Sequence, residues 1–139
     1  MSVPKHKRSE CKLIVQTKAY EFASYTHQIC SNEKVFLKRN RWCGTSKIVD
    51  TVDEIVVNID IANEIDIRDT SNLPERRRYQ DLAITMTIRL ETLMEIAYRD
   101  NNRERKNLPD DKFNFWIDSL LELRMLIRKW RNSIRKGNY

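Results

Sequence analysis

The spacing of apolar residues between residues 110 and 136 constrains the fold more than any other feature of the sequence. Apolar residues there recur at alternating steps of three and four: Phe113, Trp116, Leu120, Leu123, Ile127, Trp130 and Ile134. Such spacing places the side chains on one stripe of an α-helix. Acidic residues at the start (Asp110, Asp111) and basic residues at the end (Arg135, Lys136) suit the helix dipole. The segment is therefore predicted to be a long amphipathic helix.

Three earlier segments show the same helical spacing. Residues 10–30 carry a weaker stripe of Val15, Ala19, Phe22, Thr26 and Ile29. Residues 47–66 carry Ile48, Val52, Ile55, Ile59 and Ala62, and residues 73–99 carry Tyr79, Leu82, Met86, Leu90, Leu93 and Ala97. A buried strand is the alternative over the β-branched part of the second segment, but the helical spacing with acids between favours a helix. Asn72 and Glu75 resemble a capping box ahead of the third helix.

Four such segments make the chain roughly 70% helical, against a usual third. With only 2 Gly and 3 Pro, the sequence lacks the turn residues of an all-β fold. We therefore predict an all-α protein, an antiparallel up-down four-helix bundle over residues 10–139. Residues 1–9 are predicted to be a flexible basic tail.

The cysteines and the N-terminus indicate a cytoplasmic protein. Cys11, Cys30 and Cys43 are an odd number without a C-x-x-C pair, which is typical of free thiols in a reducing compartment. The N-terminal residues are polar and basic, and no apolar run approaches the length of a membrane span. We expect neither a secretory signal nor a membrane partner.

Basic residues cluster in three places, although the net charge is only +6. These candidate phosphate contacts are Lys38, Arg39 and Arg41 in a loop, Arg76, Arg77 and Arg78 at the start of the third helix, and Arg124, Arg128, Arg131 and Arg135 along one face of the fourth. Guanidinium groups bind phosphate well, and Trp42 beside the loop could stack on a base. The alternative is a solvated face, or ion pairs with the second helix, which is acidic.

No pattern of catalytic or metal-ligating residues stands out. His27 and Cys30 have an H-x-x-C spacing, but no second ligand pair accompanies them, and zinc needs four ligands. Carboxylates such as Asp50, Asp53 and Glu54 are typical of a solvated face. We therefore predict no enzymatic activity, no metal and no cofactor. Asn58 lies beside the apolar stripe of the second helix, where a buried Asn can fix register.

The apolar face of the fourth helix is wider than one stripe. Ile117, Leu121, Met125 and Leu126 extend it beyond the residues needed for the core. A broad apolar face on a small bundle indicates a further burial surface, and self-association would use it.

Several segments together resemble a family of small four-helix proteins. They are RWCGT at 41–45, IVD at 48–50, IVVNIDIANEI at 55–65, RRYQDLA at 77–83 and LETLMEIA at 90–97. The sequence resembles the accessory variability proteins (Avd) of diversity-generating retroelements and their relatives, the ribosomal-RNA intervening-sequence proteins. The similarity covers residues 10–136 and consists of patterns of apolar and charged residues.

The resemblance implies a non-enzymatic homopentameric barrel with a positively charged surface. Such a protein binds the reverse transcriptase of the retroelement together with RNA or DNA, and it supports mutagenic copying of a template RNA. The basic residues given above would form the nucleic-acid surface, although the acidic second helix departs from a uniformly basic exterior. The alternative function is a self-associating helical scaffold of a mobile element with no direct nucleic-acid role.

Overall fold

The computed structural model describes the backbone of residues 5–37 and 44–133, and the side chains of residues 14–37 and 44–133. Four α-helices and no strand are found in these ranges: α1 (Lys5–Ser31), α2 (Ser46–Glu64), α3 (Leu73–Asn101) and α4 (Asp110–Ser133). A short 3₁₀ turn, Thr70–Asn72, precedes α3. The prediction of an all-α protein is confirmed for the described residues. α1 begins at Lys5, within the segment 1–9 for which the sequence predicts a basic tail.

Each helix packs against two others around one core. Contacts join α1 to α2, α2 to α3, α3 to α4, and α4 back to α1, a pattern consistent with a four-helix bundle. The side chains of α2 that face this core, from Ile48 to Ala62, have no exposed surface. The helical prediction for this β-branched segment is therefore confirmed.

The predicted stripes of α1 and α4 also face the core. In α1 the stripe from Val15 to Ile29 is buried, including the polar Thr26. In α4 the stripe from Phe113 to Trp130 is buried as well, while Ile134 lies outside the described residues. Trp116 donates its indole N–H to Thr26 Oγ1 at 3.0 Å. This bond explains why a threonine can occupy a core position of α1, since each polar group satisfies the other.

The buried face of α3 differs from the predicted stripe. Leu82 is 36% exposed, and Tyr79, Met86 and Leu93 are only half-buried. The helix instead buries Arg76, Gln80, Ala83, Thr87, Leu90, Met94, Ala97 and Asn101. The buried face of α3 is thus displaced by about one position along the sequence relative to the predicted stripe, and it contains polar residues. The sequence pattern missed it because hydrophobicity alone places Leu82 and Met86 inside.

The connections are held by side-chain amides. Asn72 does not form the predicted capping box, because its side-chain amide donates to the Asp66 carbonyl at 2.8 Å and caps no N–H of α3. Beyond α3, Asn102 Oδ1 accepts the backbone N–H groups of Asn107 (2.9 Å) and Leu108 (3.0 Å). These bonds turn the chain so that Leu108 is fully buried and α4 can begin two residues later.

Candidate nucleic-acid interface

The arginine stripe of α4 does not form one uniform surface. Arg124 lies against α3, and only 13% of its side chain is exposed. Its Nε donates to Thr87 Oγ1 at 2.8 Å, and its Nη2 donates to the Thr87 carbonyl at 3.1 Å and to Glu91 Oε1 at 2.6 Å. Every one of these acceptors belongs to α3, so Arg124 ties two helices together instead of presenting its guanidinium to a ligand.

Arg131, seven residues after Arg124 on α4, has a similar role. Its Nε donates to Asp81 Oδ1 at 2.9 Å, and its side chain is 26% exposed. Arg124 and Arg131 therefore form ion pairs, whereas the alternative drawn from the sequence expected such pairs with the second helix. Their partners lie on α3, however, and the acidic α2 that was considered in the sequence contributes none to these pairs.

Arg128 differs from both neighbours in the stripe. It is exposed and forms no ion pair or hydrogen bond with any described residue. Lys129 is likewise exposed and unpaired within the same ranges, and sequence reasoning missed it because it lies one position off the arginine stripe. Both cations border a groove of about 510 Å³, whose other lining residues are Leu121, Arg124, Met125, Asn132 and Ser133. The groove combines free positive charge with exposed apolar side chains.

The three arginines at the start of α3 have three different environments. Arg76 is only 2% exposed, and its guanidinium carbon lies 5.2 Å from the centre of the Trp130 ring. Burial lowers the pKa of Arg76 to about 10. Arg77 is half-buried, and Arg78 is exposed, with its guanidinium over the ring of Tyr79 at 4.9 Å. Arg76 was predicted as a surface contact, but burial against α4 removes it from any surface that a nucleic acid can reach.

Four predicted cations lie outside the described residues. They are Lys38, Arg39 and Arg41, for which the sequence predicts a basic loop, and Arg135. Trp42, the candidate stacking residue, also lies outside the described residues. The predicted site residues that the structure leaves exposed are therefore Arg78 and Arg128, with Arg77 half-buried.

The acidic helix α2 interacts with α1. Asp60 accepts hydrogen bonds from Gln16 at 2.9 Å and from the Tyr20 hydroxyl at 2.6 Å. The bond to Asp60 raises the pKa of Tyr20. Asp53 Oδ1 lies 2.8 Å from His27 Nε2, and the side chain of His27 is about half exposed.

The outer face of α2 combines acids with apolar side chains. Asp50, Glu54 and Glu64 are exposed, and between them Val57 is 54% and Ile61 is 37% exposed. This face has the opposite charge to the groove of α4 and a similar apolar centre. The two surfaces are therefore complementary in charge.

Cys30 is poorly suited to bind a metal. It is a free thiol, 7% exposed, and burial raises its pKa to about 12, so the thiolate that zinc requires is scarce at neutral pH. Across residues 14–37 and 44–133, no three His, Cys, Asp or Glu side chains are grouped so that they could hold a metal ion.

Among the helices of the described residues, none has the length and the apolar character that a membrane span requires.

A second cleft lies where α3 ends. Its volume is about 680 Å³, and its walls include Phe36, Leu93 and Ile96 as well as the charged Asp100 and Arg105. Asn101 also lines the cleft. Its side-chain Nδ2 donates to the Val35 carbonyl, and its Oδ1 accepts the Leu37 N–H. No motif in the sequence indicated this cleft, because residues from three separate parts of the chain form it.

Comparisons of the chain with models of protein families, with curated proteins and with solved structures found no match.

Proposed function

We propose that this protein is a non-enzymatic accessory protein that binds RNA or DNA together with a reverse transcriptase. In this proposal the four helices form an antiparallel up-down bundle that assembles as a homopentamer, and the assembly supports mutagenic reverse transcription in a diversity-generating retroelement. The similarity of the sequence to the Avd proteins supports the role, the partner and the subunit number. The contacts of Arg124 with Glu91 and of Arg131 with Asp81 support the antiparallel order of α3 and α4.

The observation that carries nucleic-acid binding is the exposed pair Arg128 and Lys129. Neither is neutralised by a described acid, and both border the groove of α4. Positive charge without an intramolecular partner can neutralise phosphate and release counterions. In a ring of subunits the pair would be repeated, and repetition raises the effective affinity for a long chain. Arg78 is the further exposed cation of the predicted set.

The alternative is a self-associating helical scaffold without a direct nucleic-acid role. Arg124 and Arg131 are held by acids of α3, and Arg76 is buried. Within the described residues the positive surface is therefore smaller than the predicted set of cations, and this favours the alternative. The apolar side chains of the same groove, Leu121 and Met125, would then bind another subunit.

The salt dependence of binding distinguishes the two functions. We would measure the affinity of the full chain for a single-stranded RNA and for a duplex DNA over a range of salt concentrations. Each neutralised phosphate contributes a slope of about −0.7 on single strands and about −0.9 on duplex in a log–log plot. The double variant Arg128→Glu, Lys129→Glu should reduce the magnitude of that slope by the contribution of one to two phosphates.

A matched variant controls for net charge. Lys18→Glu with Arg68→Glu changes the charge by the same amount at exposed positions of α1 and of the α2–α3 connection. It should keep most of the slope. Equal slopes for the two variants would remove the α4 groove from the site, and a lack of binding by the unmodified protein would favour the scaffold.

A further inference from the structure

Unpartnered polar groups collect inside the protein where α3 begins and α4 ends. Arg76 is 2% exposed and Gln80 is fully buried, yet Nε and Nη1 of Arg76 and both amide atoms of Gln80 have no hydrogen-bond partner among the described residues. The indole N–H of Trp130, which is 2% exposed, is also without a partner in those ranges. Buried polar groups are nearly always satisfied, so such a concentration indicates a missing binding partner.

These groups belong to one site. Arg76 and Gln80 are four residues apart on α3 and so lie on the same face of the helix, one turn apart. Trp130 joins them from α4, since its ring centre lies 5.2 Å from the guanidinium carbon of Arg76. The cation–π contact holds the guanidinium in place, but it satisfies none of its N–H groups.

The chemistry of the site is rich in donors. Arg76, Gln80 and Trp130 all present N–H groups, whereas Gln80 Oε1 is the only acceptor among the unpartnered atoms of these three residues. No described carboxylate lies within ion-pair distance of Arg76. The guanidinium stays charged at neutral pH even with its pKa lowered to about 10, and a buried charge without a counterion is strongly unfavourable. The complementary ligand is an acceptor with negative charge.

The helix geometry adds to this preference. Arg76 lies in the first turn of α3, where the helix dipole favours an anion. The N-cap residue, Asn72, makes no side-chain hydrogen bond to this turn. Trp130 lies in the last turn of α4. The site therefore lies between the first turn of α3 and the last described turn of α4.

We propose that Arg76, Gln80 and Trp130 form an internal binding site for a small oxyanion, such as inorganic phosphate or sulfate. The oxyanion accepts N–H groups from all three side chains and neutralises the buried guanidinium. The site is distinct from the surface groove of α4, and the proposal does not depend on nucleic-acid binding or on a reverse transcriptase.

The test is the thermal unfolding of the full chain with inorganic phosphate as the probe. Sodium phosphate, sulfate, acetate and chloride would be compared at equal ionic strength. We expect phosphate or sulfate to raise the unfolding midpoint saturably, by about 4–8 °C, because the ligand binds only the folded protein. An equal effect of acetate or of chloride, or a stabilisation by phosphate that does not saturate, would be a general salt effect and would overturn the proposal.

Two variants assign the effect to this site, and one serves as a matched control. Arg76→Met should abolish the phosphate effect and, without phosphate, should be at least as stable as the unmodified protein, because an apolar side chain replaces an uncompensated charge. Gln80→Leu should weaken phosphate binding at least tenfold. Arg78→Met, two residues away on the exposed surface, should keep the full response.

The intrinsic tryptophan fluorescence, to which Trp42 and Trp116 contribute as well as Trp130, gives a readout that does not require unfolding. Phosphate that accepts the indole N–H should change the tryptophan emission of the unmodified protein and of Arg78→Met, but not that of Arg76→Met. Loss of stability of Arg76→Met in every buffer, together with unchanged emission of the unmodified protein on phosphate addition, would show that Arg76 has only a structural role.

Discussion

Arg124 and Arg128 show how neighbouring residues of one type acquire different roles. They are four positions apart on α4, yet Arg124 binds Thr87 and Glu91 whereas Arg128 has no described partner. The difference depends on which side chain of α3 lies opposite each of them. Residue type therefore identifies a possible phosphate ligand, and the neighbouring helix decides whether the charge is available.

At the same scale, the buried thiol of Cys30 predicts a pH dependence of stability. Its pKa is about 12 in the folded protein, against 9.0 for a free thiol. The pKa of Cys30 is higher in the folded protein than in the unfolded chain. The contribution of the buried neutral thiol to the unfolding free energy is therefore complete below the unfolded pKa, and it is lost as the pH rises towards the folded pKa. Between pH 8 and pH 10 the unmodified protein should lose about 1 kcal/mol more unfolding free energy than Cys30→Ala.

Urea unfolding at a series of pH values would measure this difference. The alanine variant cancels the contributions of every other titrating group, including Cys11 and Cys43. The packing that is lost when alanine replaces Cys30 does not depend on pH. It therefore shifts the whole curve of unfolding free energy against pH by a constant. Parallel stability curves for the two proteins would contradict the burial of Cys30.

At the scale of elements, the contact between α3 and α4 is held by polar as well as apolar groups. Arg124 contacts Thr87 and Glu91, and Arg131 contacts Asp81. Thr87 is itself fully buried and donates its hydroxyl to the Ile84 carbonyl at 2.6 Å. The arginine therefore completes a small buried network between two helices, and removing it leaves acceptors without a donor.

Arg124→Met should reduce the unfolding free energy by about 2–4 kcal/mol, because Glu91 and Thr87 lose a charged hydrogen-bond partner in a largely buried position. Arg128→Met is the matched control, with an expected change below about 0.5 kcal/mol at its exposed position. Chemical denaturation measures both. Equal, small losses would show that Arg124 does not hold the helices together and that its guanidinium is available to a ligand.

At the scale of the whole molecule, the outer faces of α2 and α4 carry opposite charges around apolar centres. Val57 and Ile61 lie among acids, and Leu121 and Met125 lie beside Arg128 and Lys129. A head-to-tail contact between such different faces generates a ring when the rotation closes. In such a ring Arg128 and Lys129 would meet the acids of a neighbouring α2, so this interface serves the self-associating scaffold, whereas nucleic-acid binding requires the groove of α4 to stay open.

Light scattering should therefore give a mass near five times 16.7 kDa, at low and at high salt, because apolar contacts resist screening. Leu121→Glu with Met125→Glu should reduce the mass to that of a single chain without loss of helicity. Ile96→Glu, at a 51% exposed position of α3, is the control and should leave the assembly intact. A monomeric unmodified protein would exclude the pentamer.

The positions of the helices and three of their four buried faces are predictable from the sequence. The stripes of α1, α2 and α4 follow from apolar residues at steps of three and four, and this periodicity is local to each segment. The pattern works because burial of a large apolar side chain outweighs the other contributions to helix orientation. Few turn residues and abundant helix formers determine the fold class in the same way.

The tertiary structure alone decided the face of α3 and the roles of the arginines. Gln80 and Thr87 are buried in α3 while Leu82 remains partly exposed, because neighbouring helices select the line that fits between them. Arg76 is stacked on Trp130, which is 54 positions away in the chain, and Arg124 bonds Glu91 across the gap between two helices. Sequence spacing reports local periodicity, whereas these contacts depend on which residues distant in the chain become neighbours in space.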